Sequence, residues 1–230
     1  MTIRNVLPAH HQDSDTRDVI KLVMGLIATI AALVLSLLIA SANGSYDKQE
    51  SEVQQLGVHI VLLDQMLAHY GPETHDARVR LRQIVESDLA RTWPAVVVVP
   101  VDLAAPPIHG DDLYEMLTGL VPKSEAQRFA QGRALQLATT MGDTRRLLSE
   151  QAGGSLSWPF FVVLVFWLVA LFIGFGLFAR RNTTVIAAFF VGALTVAGAI
   201  FLILEMHRPY SGLMQISSAP IKDALSQIGK

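Results

Sequence analysis

The residues able to do chemistry are few and thinly spread. His10 and His11 lie beside Asp13 and Asp15, which makes the one metal-like cluster in the chain. Adjacent histidines in a polar, proline-containing terminus lack ligand spacing, so no metal is expected there. His69 and His75 flank the sequence GPET, a helix break across which their rings need not converge. Glu205 has Arg208 three residues on, a spacing at which two side chains on one helix can face each other. Near the end of an apolar segment such a pair is either part of a gate or ion path, or a local ion pair at a helix end. Thr29, Ser36 and Thr195 are the hydroxyls set well inside apolar segments. They either line a wet path or bond back to the carbonyl one turn earlier. There is no Gly-rich phosphate loop, no HExxH and no GxSxG, and nothing pairs a nucleophile with a base at a recognisable spacing. No catalytic residue and no cofactor is therefore predicted.

The elements that must hold these residues are read from where charge is missing. The 230 residues are 51% hydrophobic and 17% charged, against about 25% charged in an ordinary soluble domain. Between Lys21 and Asp47 there are 25 uncharged residues, between Glu150 and Arg180 there are 29, and between Arg181 and Glu205 there are 23. A hydrocarbon core of about 30 Å needs about 20 helical residues, so each gap is long enough to span a bilayer. The net charge is −2, and residues 44–150 carry 15 acidic against 10 basic side chains, which leaves no basic surface for nucleic acid. Cysteine is absent, which removes disulfides and thiolate chemistry.

The predicted fold is mainly α: a helical membrane protein with three transmembrane helices and a mostly helical extramembrane region between the first and second. Residues 1–20 form a polar N-terminal segment, with Ser14 or Asp15 as helix cap. Residues 21–43 form the first transmembrane helix, where Ala28, Ala32, Ser36 and Ala40 recur every fourth position as a helix-packing stripe. Ala40-Ser41-Ala42 would suit signal-peptide cleavage, but an apolar run of about 20 residues followed by further spans favours a retained helix. Residues 44–157 form the extramembrane domain. Its first helix carries Tyr46, Val53, Leu56, Ile60, Leu63, Leu67 and Tyr70 as a coiled-coil-like seam, directed at neighbouring helices of the same chain or at a second copy. Gly71-Pro72 stops it, and Ala77, Leu81, Ile84, Val85 and Leu89 restart the pattern up to Trp93-Pro94. The valines between Pro94 and Pro100 read as an extended connector, too short to span. Asp111 caps a short helix, Ser124 and Gln127 form a capping box, and a long helix to about Glu150 buries Phe129, Leu137, Met141 and Leu148. Residues 158–206 make a transmembrane hairpin turning at Arg180-Arg181-Asn182, with Trp158 as an interfacial anchor. Residues 207–230 are an amphipathic tail, with a helix from Ala219-Pro220 suited to a membrane surface.

Three stretches, DVIKLVMGLIATIAALVLSLLIASANGSYDKQ, IVLLDQMLAHYGPETHDAR and GAIFLILEMHRPYSGLMQISSAPIKDAL, resemble the bestrophin-like domain family of bacterial membrane proteins over nearly the whole chain. The most specific parts are the KLVMGLIAT start, the HYGPET break and the EMHRPYSG turn. The resemblance implies an inner-membrane, multi-pass homo-oligomer, an ion channel or pore lined by the helix of residues 22–42. It also implies a cytoplasmic location for residues 44–150, which basic-residue counts of five on each side do not decide. Look-alikes usually carry a further hydrophobic segment before the LPAHH-like linker, so either an upstream helix is missing from this sequence or the fold differs there. The aromatic neck motif of true bestrophins is not visible, and no selectivity filter carries over. The partners expected are the lipid bilayer, further copies of the chain and ions. The competing expectation is a non-conducting scaffold or signalling module that binds a partner through its helical extramembrane region.

Overall fold

The computed structural model describes residues 14–93, 110–152, 158–179, 182–210 and 212–229. The valine-rich connector, the His10–His11 pair, Asp13 and Arg180-Arg181 lie outside them. The described residues form seven α-helices: α1 Ser14–Tyr70, α2 His75–Thr92, α3 Gly110–Thr118, α4 Glu125–Ala152, α5 Trp158–Phe178, α6 Thr183–Met206 and α7 Ala219–Gln227, and none of them forms a strand. The chain divides into two compact units, residues 1–44 with 155–207 and residues 45–154 with 208–230.

The first unit is apolar on its outside. Three helices are long and apolar enough to cross a membrane, and only 6%, 11% and 6% of their most hydrophobic windows is buried. Exposed Leu22, Leu26, Leu33 and Leu37 on α1, Phe166 and Ile173 on α5, and Ile186, Phe190 and Leu194 on α6 make an apolar surface far larger than water tolerates. Such helices satisfy their own backbone hydrogen bonds, so lipid is a suitable solvent for them. The chain is a membrane protein with three candidate spans. Inside the unit, Ala31, Leu164 and Leu171 form a small core with Met24, Ile27, Ala28, Val34, Leu35, Leu38, Trp167 and Leu168 around it. Gly174 on α5 leaves room for the Met24 side chain of α1, whose Cε would lie 1.7 Å from a methyl group there. The N-terminus of α6 is capped by Asn182, whose side chain accepts from the Thr184 N–H.

The second unit is built around one buried apolar core. The seam predicted on α1 enters it at six positions, with Val53, Ile60, Leu63 and Leu67 fully enclosed and Tyr46 and Leu56 packed at its edge, while Tyr70 is buried outside that cluster. The five apolar positions predicted on α2 join them, as do Leu113, Leu117, Leu137 and Met141. The seam is thus consumed within the chain rather than left for a partner. α1 runs without a break through Asn43-Gly44-Ser45, because a lone exposed glycine costs a long helix only about 1 kcal/mol. It ends where expected, at Gly71 with φ 131°. Buried Thr74 donates its hydroxyl to the Leu67 carbonyl at 2.5 Å, and Gln127 Nε2 donates to the Tyr70 carbonyl at 2.9 Å. The Leu67 and Tyr70 carbonyls at the end of α1 are therefore met by protein. Asp64 and Arg78 tie α1 to α2 through two charge-assisted hydrogen bonds of 2.8 Å each.

Three expectations need correction. Phe129 is 75% exposed rather than buried, because the inner face of α4 is the row Ala130, Ala134, Leu137 and Met141, one residue out of phase with it. α3 starts at Gly110, so Asp111 falls in its first turn instead of capping it. α7 does not offer its apolar face to a membrane. Ile221, Ala224 and, just beyond it, Ile228 are buried in the core of the second unit, where protein covers the surface that amphipathic spacing alone left open to lipid. The capping box is half present: Ser124 Oγ accepts from the Gln127 N–H, while Gln127 Oε1 accepts from the Lys123 N–H.

Docking of α7 depends on Gly57. A methyl group there would lie 2.8 Å from the backbone oxygen of Pro220, which cannot swing aside as a side chain would. Gly57→Ala is expected to cost about 1–3 kcal/mol by overpacking, read as a lower unfolding temperature in detergent and faster proteolysis after Ser211.

Candidate functional site

The hydroxyls singled out in the sequence sit on the outer surface of the spans. Thr29 Oγ1 donates to the Gly25 carbonyl at 2.9 Å, and Thr195 Oγ1 donates to the Val191 carbonyl at 2.9 Å. Each proton is committed one turn back along its own helix, so what the hydroxyl presents outward is its lone pairs. Thr29, Ser36 and Thr195 are all exposed in the single chain.

The stripe of small residues divides. Ala28 packs into the first unit's core, whereas Ala32, Ser36 and Ala40 are exposed. A stripe of period four drifts about 40° per step around a helix of 3.6 residues per turn, so it leaves the buried seam after one turn. The outward strip runs instead through Gly25, Thr29, Ala32, Ser36 and Ala40, all exposed. About a quarter turn away lies a bulky strip of Val19, Leu22, Leu26, Ile30, Leu33 and Leu37. The outer surface of α1 is therefore small and hydroxyl-bearing on one side and bulky and apolar on the other. Gly25 was the member missed from sequence, and its signal was its place four residues before Thr29.

Glu205 lies half-buried in the last turn of α6, and Arg208 is exposed just past the C-cap His207. His69 is used locally, its Nδ1 donating to the Gln65 carbonyl at 2.7 Å. His75 lines a cleft of about 350 Å³ with Ala68, Gly71, Pro72 and Arg78, but the Arg78 guanidinium there is already neutralised by Asp64. Among the described residues no group of three or more His, Cys, Asp or Glu could hold a metal.

A search of curated proteins and a search of solved structures returned no match. A family model does match: the bestrophin-like domain covers residues 1–221. The chain belongs to the bestrophin-like domain family. In this bestrophin-like protein the KLVMGLIAT, HYGPET and EMHRPYSG segments fall at the start of α1, at the corner between α1 and α2, and at the exit from α6.

The second unit also buries polar atoms that spacing did not reveal. Gln49 is 5% exposed and stands in the apolar seam of α1, three residues before Glu52. Gln49 Oε1, Glu52 Oε2 and the Tyr210 hydroxyl are buried with no hydrogen-bond partner among the described residues. Tyr210 meets Trp93 edge to face, with ring centroids 5.3 Å apart, and Trp93 Nε1 donates to the Ile216 carbonyl at 2.9 Å. Burial, and then the negative charge of Glu52, push the Tyr210 phenol up to about 12.

A raised tyrosine pKa means the folded chain keeps its proton longer than the unfolded chain. The associated stability is complete below the ordinary value of 10.0 and is lost as pH rises through about 12. Tyr210→Phe should remove that alkaline step. At neutral pH it should leave stability unchanged or raise it by about 1 kcal/mol, because it deletes an unpaired buried hydroxyl. Unfolding monitored by circular dichroism in detergent from pH 8 to 12.5 checks both.

Proposed function

We propose that this bestrophin-like protein is a homo-oligomeric ion channel or pore of a bacterial inner membrane. In this reading the small, hydroxyl-bearing strips of α1 from several copies face a common axis, while the bulky strips and the hairpin of α5 and α6 face lipid. The observation that carries it is the division of α1's outer surface into two strips of unlike character. Small residues let helices approach closely around an axis, and Thr29 and Ser36 supply oxygens able to replace part of an ion's hydration. Glu205, half-buried in the last turn of α6, gives an ionisable group at the exit of a span, suited to a gate. The residues support transport rather than bond-making chemistry, so an enzyme is not proposed. The cytoplasmic placement of the second unit follows the family likeness.

The test uses purified oligomer in planar bilayers. Because the chain lacks cysteine, Ser36→Cys and Leu37→Cys give unique thiols on the two strips. A charged thiol reagent should reduce current at least roughly fivefold through Ser36→Cys, the hydroxyl strip facing the path, and leave Leu37→Cys unchanged. Absence of conductance from a folded oligomer overturns the channel.

One observation favours a second reading, a non-conducting scaffold. With the α1 seam buried, Phe129 and Val121 remain as large apolar side chains at 75% and 78% exposure on the second unit, the kind of residue that anchors a partner. If they do so, Phe129→Ser should weaken partner capture about tenfold or more without lowering the unfolding temperature, as measured by pull-down and melting.

A further inference from the structure

Beyond the spans, one short loop carries apolar side chains that the fold leaves outside. Met206 ends α6, and three residues later the segment from Pro209 to Ile216 closes on itself: the Ile216 N–H donates to the Pro209 carbonyl at 2.7 Å. Its base is fixed. Pro209 and Ile216 are buried, Ile216 at 1%, and Tyr210 packs edge to face on Trp93, whose indole holds the Ile216 carbonyl. Its tip is shaped as well, with Gly212 at φ 101° and Gln215 Nε2 donating to the Gly212 carbonyl at 2.9 Å. At that tip Leu213 is 84% exposed, the most exposed of the large apolar side chains described, and Met214 is 37% exposed. Arg208, also exposed, stands at the entrance to the loop.

Two neighbouring apolar side chains held outward on a fixed base, beside a cation and directly after a membrane-spanning helix, suit a loop that meets a bilayer. We propose that the Pro209–Ile216 loop is an interfacial anchor. Leu213 and Met214 enter the boundary between headgroups and acyl chains, and Arg208 meets lipid phosphate. The occupant is lipid because the loop is continuous in sequence with a membrane-spanning helix, only three residues past its last turn. That position puts the loop where apolar tips and a flanking cation are stabilised together. The preformed base means little ordering cost is met on insertion. The inference rests on the membrane spans and is independent of whether the protein conducts.

The cysteine-free chain allows a single environment-sensitive fluorophore at Leu213→Cys, with Thr140→Cys, exposed on α4 of the second unit, as the water-facing control. The full-length protein is placed in nanodiscs of phosphatidylcholine and phosphatidylglycerol. A spin label at the fifth acyl carbon should quench the Leu213→Cys label roughly twofold or more and the Thr140→Cys label little. Arg208→Gln should weaken that quenching, and more so in anionic discs. If the Leu213→Cys label is quenched instead by a water-soluble agent to the same degree as the control, the anchor is overturned. If it is shielded from both quenchers and forms disulfide dimers on oxidation, the loop is a contact between copies, and the proposal is overturned equally. The side chain's exposure means the substitution does not endanger folding, and an unchanged melting temperature verifies this.

Discussion

A helix of 57 residues, at 1.5 Å per residue, is about 85 Å long, almost three times the thickness of a bilayer's hydrocarbon core. No single solvent suits α1. Its first half is apolar nearly all round, and its second half is apolar on one face only. The requirement that every apolar surface be covered by something decides the rest of the structure. In the first unit lipid covers most of it and a small core of α1 and α5 covers the remainder. In the second unit protein must do all the covering, and that is why α2, α3, α4 and α7 gather around residues 46–70.

How far this was legible in the sequence follows the same division. The spans were readable because three charge-free runs of 23 to 29 residues have few alternatives in physical chemistry. The seam on α1 and the row on α2 were readable because each buried position repeats at three and four residues, with Gly71-Pro72 as an unambiguous stop. Phe129 was misplaced because an aromatic residue one step from a row of alanines looks like its largest member. Yet close helix packing uses the alanines and turns the phenylalanine out. α7 was misassigned to a membrane surface because amphipathic spacing shows that one face must be covered without showing by what. The deciding feature was Gly57, 163 residues before Pro220 in the sequence, and no local pattern encodes that contact.

The candidate site was legible by residue type and less so by direction. Thr29 and Thr195 bond back to their own helices as hydroxyls in apolar segments do, and both nonetheless stand on outer surfaces. The stripe of alanines with Ser36 was visible, but a period of four is not the period of a helix, so counting alone could not say where it leaves the packed face. The burial of Tyr210 within reach of the Glu52 charge had no signal of spacing, since the two residues are about 160 positions apart.

That long sequence separation has a consequence for biosynthesis. The second unit is interrupted in the chain: residues 45–154 come first, and residues 208–230 arrive only after the whole hairpin of α5 and α6 has been made. Ile216, Ile221, Ala224 and Ile228 belong to its core, so on the ribosome that core stays unsealed until the last turn of translation, even though N-terminal parts ordinarily fold first. The second unit's core therefore cannot close before the hairpin has been synthesised. A chain cut short before residue 216, or one whose hairpin fails to insert, leaves an open greasy cleft for proteases to find.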